Sequence, residues 1–111
     1  MKKLASVCAG LLLLLSTSVF AEENAASALE HAKQAVVHGK AGHTPMLVDH
    51  AKAALEDALS ASIVAKGVSK NHIEAGSKEL QEAIDLGTLG HVGKATTHAE
   101  AAVEHLKAGN K

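Results

Sequence analysis

The chain has 111 residues and is close to neutral, with eleven basic residues against twelve acids and a net charge of −1. It contains one phenylalanine and neither tryptophan nor tyrosine. With no basic excess and Phe20 as the single aromatic ring on which a base could stack, the composition excludes a nucleic-acid-binding protein.

The first segment reads as an address. Lys2 and Lys3 precede an apolar run centred on Leu11 to Leu15, and Val19-Phe20-Ala21 follows. That is the layout of a secretory signal peptide over residues 1–21, cut after Ala21. The run is short of the ~20 apolar residues that a membrane span requires. Cys8 precedes the run, which does not fit lipid attachment. The expected mature chain is residues 22–111, exported to the periplasm and soluble, with no membrane contact after cleavage. It retains nine lysines, twelve acids and all eight histidines, a charge of −3 with histidine neutral, and no cysteine. Disulfides and thiolate ligands are therefore excluded.

The mature chain predicts a single all-α domain of four helices. Helix 1 is expected from about Asn24 to His38, ended by Gly39 and Gly42. Helix 2 starts near Thr44, which can cap, with Pro45 in its first turn, where the missing N–H costs nothing, and runs to about Lys66. Gly67 ends it, and Ser69 or Asn71 can cap helix 3, which runs to about Leu86. Gly87 and Gly90 form the next turn, and helix 4 spans about His91 to Ala108. Apolar residues follow the helical period: Leu29, Ala32 and Val36; Leu47, Ala51, Ala54, Leu55, Ala58 and Ala65; Ile73, Leu80 and Ile84; Ala95, Ala99, Ala102, Val103 and Leu106. Four amphipathic helices with short loops predict an up-and-down antiparallel four-helix bundle. Nineteen of its residues are alanine, which favours helix and close approach but contributes little buried area.

A repeat lies within this pattern. A shift of 48 residues carries Gly39, Gly42, His43, His50, Ala51, Ala53, Ala54 and Glu56 onto Gly87, Gly90, His91, His98, Ala99, Ala101, Ala102 and Glu104. The bundle is thus two repeated helical hairpins.

The histidines are 31, 38, 43, 50, 72, 91, 98 and 105, and four of the gaps between neighbours are seven residues. Seven residues is nearly two helical turns, so each such pair shares a face, but its members are ~10.5 Å apart along the axis. One ion with bonds of about 2 Å cannot bridge that distance, so partners must come from different helices. Reflection about the two glycine turns supplies them. His38 meets His43, His31 meets His50 and Asn24 meets Asp57. In the second hairpin, Leu86 meets His91, Glu79 meets His98 and His72 meets His105. On a helical wheel these positions fall ~90–140° from the centre of the apolar stripe, at the edge of the core or on the outside, where a single histidine is ordinarily just solvated. Core packing does not demand this symmetry, and convergent ligation does.

The candidate metal ligands are therefore His31, His38, His43, His50, His72, His91, His98 and His105, with Glu79. Imidazole and carboxylate without thiolate suit Cu(II), which leads the affinity order, with Ni(II) and Zn(II) as alternatives. Cu(I) favours sulfur, and the mature chain holds only Met46. The Glu-x-x-His spacing of a di-iron bundle is missing.

Segments His31-Ala32-Lys33, His38-Gly39-Lys40-Ala41-Gly42-His43-Thr44, His50-Ala51-Lys52, Gly90-His91-Val92-Gly93-Lys94-Ala95-Thr96 and His98-Ala99 through Glu104-His105-Leu106 resemble the small metal-binding protein family. The resemblance covers the whole mature chain. It implies a periplasmic, histidine-rich four-helix bundle that binds copper and other divalent ions. The chain departs from the pattern at Asp57, Glu79 and Leu86, which implies fewer or weaker sites.

The expected function is periplasmic buffering, as scavenging or storage, of divalent ions by cross-helix histidine pairs, without catalysis. No nucleophile stands at a telling distance from a base, and protein partners are unspecified. The alternative is a pH-responsive structural or chaperone-like bundle, since eight histidines change charge between about pH 5 and 8.

Overall fold

A computed structural model describes residues 22–110; the expected signal peptide and its cleavage point lie outside the described residues. Helix α1 occupies residues 22–40. It is followed by α2 (Thr44–Val64), α3 (Gly67–Thr88) and α4 (Val92–Gly109). No strand occurs among the described residues. None of the described helices is long and apolar enough to cross a membrane.

Helix α3 packs along both α2 and α4, while α2 and α4 barely touch. Helix α1 closes the square. It meets α2 where the Ser27 hydroxyl donates to Asp57 Oδ2 at 2.6 Å. It meets α4 where the Asn110 amide donates to the Ala25 carbonyl at 3.2 Å. This is the expected four-helix bundle, with the α1/α2 seam on the opposite side from the α3/α4 seam.

The two hairpin turns repeat each other bond for bond. Gly42 and Gly90 have φ of +78° and +86°, the left-handed region in which glycine lacks the Cβ penalty. At the first turn His43 N–H donates to His38 O at 2.8 Å and Gly42 N–H to Gly39 O at 3.1 Å. At the second, His91 N–H donates to Leu86 O at 2.8 Å and Gly90 N–H to Gly87 O at 2.9 Å. This paired arrangement is the Schellman motif, which satisfies carbonyls left over at a helix end.

Several boundaries differ from the sequence reading. Gly39 and Gly87 lie inside α1 and α3 instead of breaking them. A Cβ on Gly39 would collide with Thr96 Oγ1 and fall 2.7 Å from Leu47 Cδ1, and one on Gly87 would fall 2.6 Å from Val48 Cγ2. These glycines serve helix contact, not helix termination. The residues that precede α2 and α4 are His43 and His91, so Thr44 is not the cap. Gly67 begins α3 with a φ of +61° after a break at Ala65 and Lys66, and no side chain caps that helix. Ser69 instead donates to the Gly109 carbonyl at 2.6 Å, tying the start of α3 to the end of α4.

Twelve of the eighteen buried apolar residues among those described are alanine. The largest fully buried side chains are Leu47, Ile73, Leu80 and Leu106. Their counterparts at the 48-residue shift are Ala95, Ala25, Ala32 and Ala58, all buried. Two bulky side chains related by the repeat would compete for the same space near the bundle axis. Each is therefore matched by an alanine, at the close-packed density of protein interiors. Leu47 shows this directly, since its two methyls face Gly39 on one side and Gly87 on the other.

Candidate metal centre

The alanine stripes bring paired helices close and fix where rim side chains meet. On α1 and α2 the rim carries His31, His38, His43 and His50. The Nδ1 atoms of His31 and His50 lie 3.3 Å apart across the seam. The rings of His38 and His43 have centroids 5.9 Å apart. His38 also stacks on His50, with centroids 5.1 Å apart and planes 8° from parallel. The four imidazoles thus form one unbroken track, in the order His31, His50, His38, His43. The reflection in the sequence anticipated the two pairs; it missed the diagonal His38–His50 contact that joins them.

The α3/α4 seam is sparser. His98 Nδ1 lies 2.8 Å from Glu79 Oε2, a charge-assisted hydrogen-bond distance. His72 and His105 have centroids 6.0 Å apart. His91 is exposed beside Leu86, which has no ligand atom to offer. The third layer of the first hairpin also differs from expectation. Asp57 pairs with Ser27, three residues nearer the turn than Asn24, so the reflection is offset by about one helical turn at this distance from Gly42. His43 is likewise exposed, and the other six histidines are half-buried.

The spacing can be compared with metal geometry. Two nitrogens bound to one ion at about 2.0–2.1 Å and a tetrahedral angle lie about 3.4 Å apart. At a square-planar right angle the separation is about 2.9 Å. The 3.3 Å between His31 and His50 is in this range without movement of either helix. The His38/His43 and His72/His105 rings, with centroids 5.9 and 6.0 Å apart, need a small rotation toward each other to share an ion. Among the described residues, no three histidine, aspartate or glutamate side chains close on a single point. The donors come in pairs.

Electrostatics favours the neutral, ligating form at the centre of the track. Burial, then the neighbouring His38 and His31, hold His50 below its ordinary 6.5, against a weaker opposing pull from Asp49.

A family model described as "Small metal-binding protein" matches residues 1–109. The chain belongs to that family. The match spans both hairpins and both seams, so the resemblance carried by the glycine turns and histidines holds along the full bundle. A comparison with curated proteins finds no match. Membership of the small metal-binding proteins makes metal ions the ligand class for this chain.

Proposed function

We propose that this protein buffers divalent metal ions outside the cytoplasm, chiefly Cu(II), with Ni(II) and Zn(II) as weaker competitors. The cross-helix pairs His31/His50, His38/His43 and His72/His105 hold the ions, with Glu79/His98 as a mixed pair and His91 as a single outlying donor. The observation that carries this reading is the 3.3 Å approach of the His31 and His50 nitrogens. Pairs of donors leave the remaining coordination positions to water, so ions exchange readily. That suits a buffer better than a permanently loaded cofactor site or an enzyme. The Lys2-Lys3 start, the apolar run and Val19-Phe20-Ala21 support export with cleavage after Ala21.

Isothermal titration of the processed, untagged chain with Cu(II), Ni(II) and Zn(II) tests the reading. Saturable binding that is tightest for Cu(II) is expected, following the order of ligand affinity for divalent ions. The mass of the same protein tests export, with Glu22 expected at its N-terminus. If Cu(II) binds no more tightly to this chain than to free imidazole, the reading fails.

A further inference from the structure

Met46 is the only methionine beyond the leader, and the metal-binding reading makes no use of it. It is not in the core. It is 46% exposed on the first turn of α2, one of several large apolar side chains outside the core, with Ile63, Val68 and Leu89. Its place on the helix wheel is informative. Met46 is three residues after His43 and four before His50. Residues three and four apart on a helix are neighbours, with Cβ atoms about 5–6 Å apart. Met46 therefore neighbours His50 along α2 and lies between its level and that of His43, which immediately precedes the helix. Long side chains on a helix lean toward its N-terminus, which turns this thioether toward His43. With three flexible torsions it can adapt its reach. The repeat sharpens the contrast, because the corresponding residue of the second hairpin is Lys94, beside the incomplete Leu86/His91 layer.

We propose that Met46 joins His38 and His43 to form a Cu(I) site at the turn of the first hairpin. The inference rests on the histidine pairs being metal ligands, as proposed above. Thioether sulfur is soft and selects Cu(I), whereas imidazole alone serves Cu(II). The α1/α2 seam then holds two kinds of position. The His31/His50 pair is all-nitrogen, and the turn offers two nitrogens and a sulfur. Ligands for both copper oxidation states lie on one track, with the stacked His38 and His50 between them.

The test is anaerobic titration with Cu(I) against a chromophoric Cu(I) chelator, beside Cu(II) titration, for wild type and Met46→Leu. Leucine keeps the side-chain volume and removes the sulfur. Cu(I) affinity should fall at least tenfold while Cu(II) affinity changes less than twofold. Copper K-edge absorption of the Cu(I) form should show a sulfur scatterer in wild type and none in Met46→Leu. Equal Cu(I) affinity in the two proteins overturns the proposal, as does equal loss of Cu(I) and Cu(II). Wild type that binds Cu(II) but not Cu(I) overturns this inference alone; wild type that binds neither overturns the metal reading as well.

Discussion

His98 Nδ1 faces Glu79 Oε2 at 2.8 Å in the layer where the first hairpin sets His31 against His50. The backbone frames repeat, so the difference between these layers is one of ligand chemistry. In the metal-free protein Nδ1–H is given to the carboxylate, and an ion held by the mixed pair would take the place of that proton. Glu79→His restores the pair found in the first hairpin. It should raise the Cu(II) affinity of the second hairpin roughly tenfold, about 1.4 kcal/mol, as read by titration of a chain with His31→Ala and His38→Ala already in place.

The two seams should differ in strength. His31→Ala with His38→Ala removes both α1 members of the four-imidazole track. His91→Ala with His98→Ala removes one unpaired residue and one mixed partner. The first double variant should weaken Cu(II) binding more than the second, with helicity by circular dichroism nearly unchanged because these side chains lie off the buried stripe. Unchanged stoichiometry and affinity in both would leave the histidines as surface decoration.

The glycines should separate by mechanism. Gly39→Ala and Gly87→Ala drive a methyl into Leu47, Thr96 or Val48, and should each cost about 1–3 kcal/mol through overpacking. Gly42→Ala meets no neighbour but keeps a φ of +78°, and should cost about 1–2 kcal/mol from backbone strain alone. Gly93 has open space around it inside α4, so Gly93→Ala should stabilise by about 0.4–1 kcal/mol. Urea melts of the metal-free proteins rank the four.

Acid should loosen the metal-free bundle through His50. Its folded-state pKa lies below 6.5, so the unfolded chain binds the proton more readily. The stability tied to this group is complete above pH 6.5 and falls as pH drops below it. His50→Gln should flatten that part of the stability–pH curve, measured by chemical denaturation of chelator-treated protein. A curve as steep as that of wild type counts against the role given to His50.

The helices and their buried faces were legible in the sequence, because alanine, leucine and isoleucine recur at the helical period and none of the core positions named from it is exposed. The three histidine pairs and Glu79/His98 were legible because a tight turn makes residues equidistant from it face each other. What could not be read was the role of Gly39 and Gly87. Glycine ends helices and also lets helices touch, and only the position of Leu47 decides between them. The stacking of His38 on His50 and the Ser27–Asp57 bond depend on how α1 and α2 lie against each other, which the spacing of residues along one chain does not contain.

The large-against-alanine matching of the core has a consequence for how the halves recognise each other. Two copies of the first hairpin would set Leu47 against Leu47 near the turns and leave alanine facing alanine at the far end, crowded in one place and hollow in the other. Two copies of the second would reverse the fault. Each hairpin is shaped for the other, not for itself. Cut at Ala65–Lys66 and produced as separate peptides, the halves should reassemble as a one-to-one complex and decline to self-pair, a split protein whose specificity is written in methyl groups.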